Sequence, residues 1–431
     1  MFFDMKKISF IIAALMMITS IDVAVAQQDK GTFTVKGQLR PRAEYRHGVL
    51  SPIGDNQKPS SFISNRARLN FGYDNGILSM GFGAQDVSVW GERPQIDSYP
   101  GTTGINEAWA RIGSNGYFAQ LGRQMLTYDD DRILGTLDWN QVGRFHDALK
   151  LGYEDQTHKL HLILAFNQHG QQVNAGTYYA GGQPYKTMQT AWYKYNGGAF
   201  DISFLAMNLG FEGGTAGTVD QAPVAKTRNL QTLGTTINYK IDDLALFGSA
   251  YYQTGKTKAN NDVSAYMFAA KAQYALTPKF SVALGIDYLS GQKDGESKVT
   301  NFDPLYGTHH KFYGTMDYFY ASAFGNKGLS DLYASLVFKP VNKLTVDLTY
   351  HNFTSAQDIS VNDVNKKGLG SEFDLTLTYP FRPYIVMQGG YSMMFGTDAF
   401  FHIKGGSKDK TQNWAFLSLN INPELFSSWS K

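Results

Sequence analysis

Arg111, Arg123, Arg132 and Arg144 recur within residues 107–151, among aromatics, small residues and the run Asp129-Asp130-Asp131. A guanidinium is planar, permanently charged and rich in donors, and it suits carboxylates and sulfates. Three adjacent carboxylates could hold a hard cation such as calcium. Their spacing is not that of an EF-hand, and an acidic loop pairing with Arg132 is the simpler reading. His309-His310 could ligate a metal, but no carboxylate motif accompanies them. His146-Asp147 with a distant serine could serve a hydrolase at a membrane rim, yet nothing marks an activated nucleophile. With no cysteine in the chain, thiolate metal sites, disulfides and cysteine nucleophiles are excluded together. No metal, no cofactor and no catalytic role is expected. Whether the stretch is a binding wall or a structural hairpin depends on the elements that carry it.

Those elements are strands. Of the 431 residues, 18% are charged and 14% aromatic, and the formal net charge is +2, which gives no reason to expect nucleic acid as a partner. Lys6 and Lys7 precede an apolar run, Ile8 to Ile18, and the small-residue site Ala24-Val25-Ala26 follows. This predicts a secretory signal peptide over residues 1–26, with the mature chain over 27–431. Beyond it, apolar residues recur with period two. Tyr266, Phe268, Ala270, Ala272 and Tyr274 share one face, with Lys271 and Gln273 on the other. Such alternation predicts strands with one greasy and one polar face.

About eighteen strands are expected, each roughly 9–14 residues long, longer than the usual mode and suited to crossing a bilayer at a tilt. Tight links such as Asn75-Gly76, Gly197-Gly198 and Thr277-Pro278 alternate with long polar ones near 47–60, 91–104, 127–142, 170–185, 211–228, 293–328, 354–367 and 397–411. The pattern predicts an all-β fold: a transmembrane antiparallel β-barrel with short periplasmic turns and long extracellular loops. In lipid no backbone polar group goes unpaired, so the sheet must close. With about eighteen strands the lumen is too wide for wall side chains to fill, and water is expected there.

Parity assigns the lumen. Arg40, Arg42 and Arg46 share the polar face of the first strand, Arg66 and Arg68 that of the second, Arg111 that of the fourth and Arg144 that of the sixth. The fifth strand is ambiguous by pattern. An arginine facing lipid at mid-depth costs about 2–4 kcal/mol, so Arg123 is expected inside. Of twelve arginines, ten precede residue 145, which crowds them onto one side of the barrel. The whole set expected to line the pore and bind anions is Arg40, Arg42, Arg46, Arg66, Arg68, Arg111, Arg123, Arg132 and Arg144.

The run GRQMLTYDDDRILGTLDWNQVGRFHDALKL, with NFDPLYGTHHKFYGTMDYF (301–319) and LGSEFDLTLTY (369–379), resembles the alginate-export family of outer-membrane barrels. The resemblance implies an eighteen-stranded monomeric barrel in the bacterial outer membrane, with an electropositive lumen that passes anionic polysaccharide. Arg123, Arg132 and Arg144 match its arginine-bearing motif. The expected function is a channel for anionic solutes in contact with outer-membrane lipid. A non-selective nutrient-uptake porin is the alternative, followed by a barrel enzyme. The Leu-, Trp- and Gly-bearing segment 133–143 is expected to fold inward and narrow the pore, with Arg132 or Asp138 at its edge.

Overall fold

The computed structural model describes residues 31–93, 103–171, 173, 176–218 and 220–428. The expected signal peptide, and residues 94–102 of the link near 91–104, lie outside these. Eighteen antiparallel staves form the wall. They are β1 (Thr32–Leu39 and Arg42–His47), β2 (Ser60–Asp74), β3 (Leu78–Val89), β4 (Gly104–Ser114), β5 (Tyr117–Gln124), β6 (His146–Glu154), β7 (His158–Phe166), β8 (Thr187–Asn196) and β9 (Phe200–Glu212). The second half comprises β10 (Thr227–Ile241), β11 (Leu244–Lys256), β12 (Asp262–Thr277), β13 (Phe280–Leu289), β14 (Leu329–Phe338), β15 (Thr345–Val361), β16 (Val364–Arg382), β17 (Ile385–Gly396) and β18 (Gln412–Ile421 and Glu424–Ser427). Pro41 and Pro423, which lack an N–H, fall where β1 and β18 break. The two broken strands pair with each other, so one chain closes the barrel and leaves no sheet edge.

The faces follow the alternation. On β5, Leu121 is 64% exposed while neighbouring Gln120 is 7% exposed, the signature of one lipid face and one luminal face. The tight links take left-handed backbone: Asn115 and Gly116 have φ of 52° and 85°, as two-residue hairpins with a right-handed twist require. The link expected near 354–367 is not a long loop. β15 runs on to Val361 and turns on Asn362 and Asp363, with φ of 51° and 62°. The reason is apolar: Ile359 and Val361 are buried against the material filling the barrel.

That filling is the main departure from a water-filled lumen. Two links fold into the barrel, residues 125–145 between β5 and β6, and residues 290–328 between β13 and β14. Leu126, Ile133, Leu134, Phe302, Tyr306, Tyr313, Met316, Tyr318, Phe319 and Phe324 form a core with wall residues such as Phe353 and Trp414. Phe400 of the short helix α1 (Asp398–Lys404) joins it; Thr397 caps that helix by accepting from the Phe400 N–H at 3.3 Å. The two links pair with each other: Gly135 N–H donates to Tyr306 O at 2.9 Å, Tyr306 N–H to Ile133 O at 3.1 Å, and Thr308 N–H to Asp131 O at 2.8 Å. Backbone groups removed from water are thereby satisfied.

Candidate functional site: a charge-divided lumen and an inward-folded strap

On β1 and β2, Arg40 and Arg66 sit directly opposite each other, exchanging backbone hydrogen bonds of 2.8 and 3.3 Å. Like charges so placed repel. The repulsion is met by one carboxylate brought from the inward-folded link: Asp138 accepts from Arg66 Nη1 at 2.8 Å and from Arg40 Nη1 at 3.2 Å. Burial opposes ionisation of Asp138. The hydrogen bond from Arg66 and the charges of Arg66, Arg40 and Arg68 win, and its carboxyl is held below the ordinary value. Toward the long-loop rim, Glu44 is clamped by Arg42 Nε and Arg46 Nε, both at 2.9 Å, and by Trp414 Nε1 at 3.1 Å. Toward the short turns, Arg68 reaches, among the described residues, only the neutral amide of Gln85, at 2.6 Å. Four guanidiniums thus share two carboxylates, and the fifth, Arg68, has no ion pair among the described residues.

Residues 138–142 lie as a strap over this wall. Arg42 donates to Trp139 O at 2.7 Å, Arg40 to Asn140 O at 3.1 Å and Gln85 to Val142 O at 2.8 Å. The Trp139 ring is held between the Arg42 guanidinium, 4.2 Å from its centroid, and His310, stacked at 4.2 Å and 11°. The expectation of an inward fold with Asp138 at its edge describes this geometry.

A second stretch of wall, β13–β16, separated from β1 only by β17 and β18, carries the other sign. Register places Asp287 of β13 against Asp331 of β14, and His351 of β15 against Glu372 of β16. Arg132 reaches this wall from the first link, donating to Asp287 at 2.8 Å and to Asp130 at 2.7 Å beneath the Phe312 ring. Asp331 meets His351 Nδ1 at 2.9 Å. The second link is anchored here: Met316 N–H donates to Glu372 at 2.8 Å and Thr315 Oγ1 to Asp374 at 2.6 Å. Asp130, Asp287, Asp331, Glu372 and Asp374 therefore face two basic side chains, Arg132 and His351. Beneath the links a cavity of about 720 Å³ runs from Gly198 and Tyr239 near the short turns to Phe312 and Tyr313, with Lys240, Lys271 and Asp347 along it.

The remaining residues singled out in the sequence separate. Arg111 points into the lumen near the short turns, its guanidinium 3.6 Å from the Phe118 centroid and, among the described residues, without an ion pair. Arg144 is inside and donates to Gly307 O at 2.8 Å. Arg123 is a correction. It shares the parity of Leu121, on the outer face, and makes a two-pronged bond to Asp147 at 2.9 and 3.0 Å, over the Phe145 ring. The lipid cost that argued for an inward side chain applies at mid-depth. Arg123 lies at the long-loop end of β5, and Asp147, itself on the outer face, neutralises it.

The aspartate run divides its work. Asp129 accepts from Ser203 Oγ at 2.6 Å, Asp130 pairs with Arg132, and Asp131 with Lys311 at 3.3 Å. Among the described residues no cluster of three His, Asp or Glu is arranged to hold a metal. His310 bonds Asp317 at 2.8 Å and His146 bonds Tyr185 at 2.8 Å, so both are packing and anchoring groups. Sequence reasoning missed the acidic wall. Its signal was present as alternating acids on the polar faces of β13 to β16.

The family model for alginate export matches residues 97–414. The chain belongs to the alginate-export family. Its fold is also that of solved outer-membrane channels. Against Acinetobacter baumannii OccAB1 the TM-score is 0.62 at 13% identity, covering 92% of this chain and 97% of that one. Against the outer membrane protein OprD of Pseudomonas aeruginosa it is 0.60 at 13% identity, covering 91% and 94%. Pseudomonas aeruginosa OccK9 (OpdG) gives 0.62 at 12% identity, covering 91% and 98%. At such identities the likeness is one of fold. No curated protein matches the chain. This member of the alginate-export family is a porin-type channel of the bacterial outer membrane.

Proposed function

We propose that the channel favours anionic solutes, acidic polysaccharide among them, and that the wall of Arg40, Arg42, Arg46, Arg66 and Arg68, with Arg111 near the short turns, guides them. Four guanidiniums sharing two carboxylates, with a fifth, Arg68, that has no ion pair among the described residues, carry this reading, because the surplus positive charge faces the lumen. A row of such groups makes weak, successive carboxylate sites, each strong enough to attract and weak enough to release. Arg132 is not among them: its partners are protein carboxylates, and it serves to hold the link. Arg144 acts in the same way, on Gly307.

The test is the reversal potential of the purified protein in a planar bilayer across a potassium chloride gradient. A potential on the chloride side is expected; one on the potassium side contradicts the reading. A second reading, a nutrient porin for small solutes of any charge, is favoured by how much of the lumen the links occupy. Swelling of proteoliposomes in neutral sugars and in sugar acids of matched size separates the two. Equal rates support the second.

A further inference from the structure

We propose that Asp138 is a tethered occupant of the channel's own carboxylate site, and that carboxylate-bearing solutes open the strap by taking its place on Arg40 and Arg66. The inference rests on the anion reading above and adds how the site is regulated.

Three observations point to it. First, the site is built for a carboxylate. Arg40 and Arg66 are adjacent on paired strands and present one Nη1 each, 2.8 and 3.2 Å from the two oxygens of a single carboxyl group. Arg66 is 1% exposed and its Nε finds no protein acceptor, so the buried guanidinium has donor capacity that Asp138 does not use. Secondly, the occupant can be exchanged. The Asp138 side chain is 50% exposed while Arg66 is fully covered, so solvent and solute reach the carboxylate from the lumen before the arginine is uncovered. Thirdly, three successive carbonyls of the strap are held by guanidiniums of the same wall. The carbonyls of Trp139, Asn140 and Gln141 accept from Arg42, Arg40 and Arg66 respectively. A carboxylate that reorients those guanidiniums loosens residues 138–141 together and leaves Val142 on Gln85 alone.

The contrast with Arg132 supports the assignment. That residue ties the same link to the acidic wall through Asp287, and both partners are nearly inaccessible. Residues 128–135 therefore stay anchored while 138–141 move. An external carboxylate does not have to pull out the whole link; it replaces one half-exposed carboxylate by another of the same charge and geometry. No net charge is buried or stranded by the exchange, which avoids the penalty of an unpaired guanidinium.

The experiment replaces sodium chloride by sodium acetate or sodium glucuronate at constant ionic strength, with purified protein in planar bilayers, and follows conductance after correction for ion mobility. Wild type is expected to show a saturable rise with carboxylate. Asp138→Asn is expected to be open at the outset and to show no such rise. Asp138→Glu, which keeps a carboxylate, is expected to retain it. A second measurement needs no variant: backbone hydrogen exchange at Trp139–Val142 should quicken in acetate relative to chloride, with Ile133 and Leu134 unchanged. A rise in Asp138→Asn equal to wild type, or exchange at 139–142 indifferent to acetate, overturns the proposal. The wild-type reversal potential in chloride distinguishes the two failures. If it lies on the anion side while carboxylate has no effect, only this inference falls. If it lies on the cation side, the functional reading falls with it.

Discussion

The walls of β1–β2 and of β13–β16 each carry a surplus of one charge, and each binds the same inward-folded link, yet they do so differently. At the acidic wall Asp287, Asp331 and Glu372 are 0–1% exposed, and their partners Arg132, His351 and Met316 are likewise covered. At the basic wall Glu44 is buried too, but Asp138, the counter-charge that the link supplies, is half exposed. A buried pair holds because breaking it leaves an uncompensated charge in a medium of low dielectric. A pair with one solvated member is cheaper to separate and open to competition. The acidic wall therefore anchors, and the basic wall is where the channel meets its solute.

Removing Asp287 should have the largest effect. Asp287→Ala leaves the buried Arg132 with Asp130 as its remaining carboxylate and should destabilise docking of residues 128–135 by about 3 kcal/mol. Backbone hydrogen exchange there should quicken by roughly a hundredfold or more, while Asp138→Ala should leave those amides nearly unchanged. Equal effects from the two substitutions would erase the distinction between anchor and solute wall.

The next effect is that of acid on Asp138. The folded-state pKa of Asp138 lies below its ordinary value of 3.8. Its contribution to holding the strap is therefore fully present above that value and is lost as the pH falls through the lower one. Conductance should stay flat from pH 7 to about 5 and rise only below about 4. A rise centred near pH 6 would point to another group.

The smallest effect is expected from Arg123. Being on the outer face with Asp147, Arg123→Gln should leave the reversal potential unchanged and cost about 1 kcal/mol or less of barrel stability, measured by urea unfolding from detergent. A shift in selectivity would put Arg123 back in the lumen.

Much of this was legible in the sequence, for physical reasons that differ by region. Alternation along β12 and β13 discloses both faces because each position sees either lipid or lumen, never both. The same rule expects Arg40, Arg42, Arg46, Arg66 and Arg68 inside, on the face where Asp138, Glu44 and Gln85 meet them. It fails at Arg123, where Gly122 and Gln124 give weak parity and the cost argument presumed a depth the side chain does not occupy. The mismatch of Asp147 on its own strand was the missing clue, since two misplaced opposite charges on neighbouring strands can satisfy each other. The acidic wall was hidden for another reason. Asp287, Asp331, Glu372 and Asp374 belong to three strands and become neighbours only through register. The second inward link did carry a signal in its aromatics. Phe302, Tyr306, Phe312, Tyr313, Tyr318 and Phe319 are too many large apolar rings for a loop standing in water.

Anion preference rests on the surplus of guanidinium charge along β1 and β2. Its most direct test is the reversal potential in a salt gradient of wild type beside the triple variant Arg40→Gln, Arg66→Gln and Arg68→Gln, each first shown to be a folded barrel by its heat-shifted gel mobility. Anion preference in the wild type and its loss in the variant are the expected result. A variant as anion-selective as the wild type, or a wild type that prefers potassium, would contradict it.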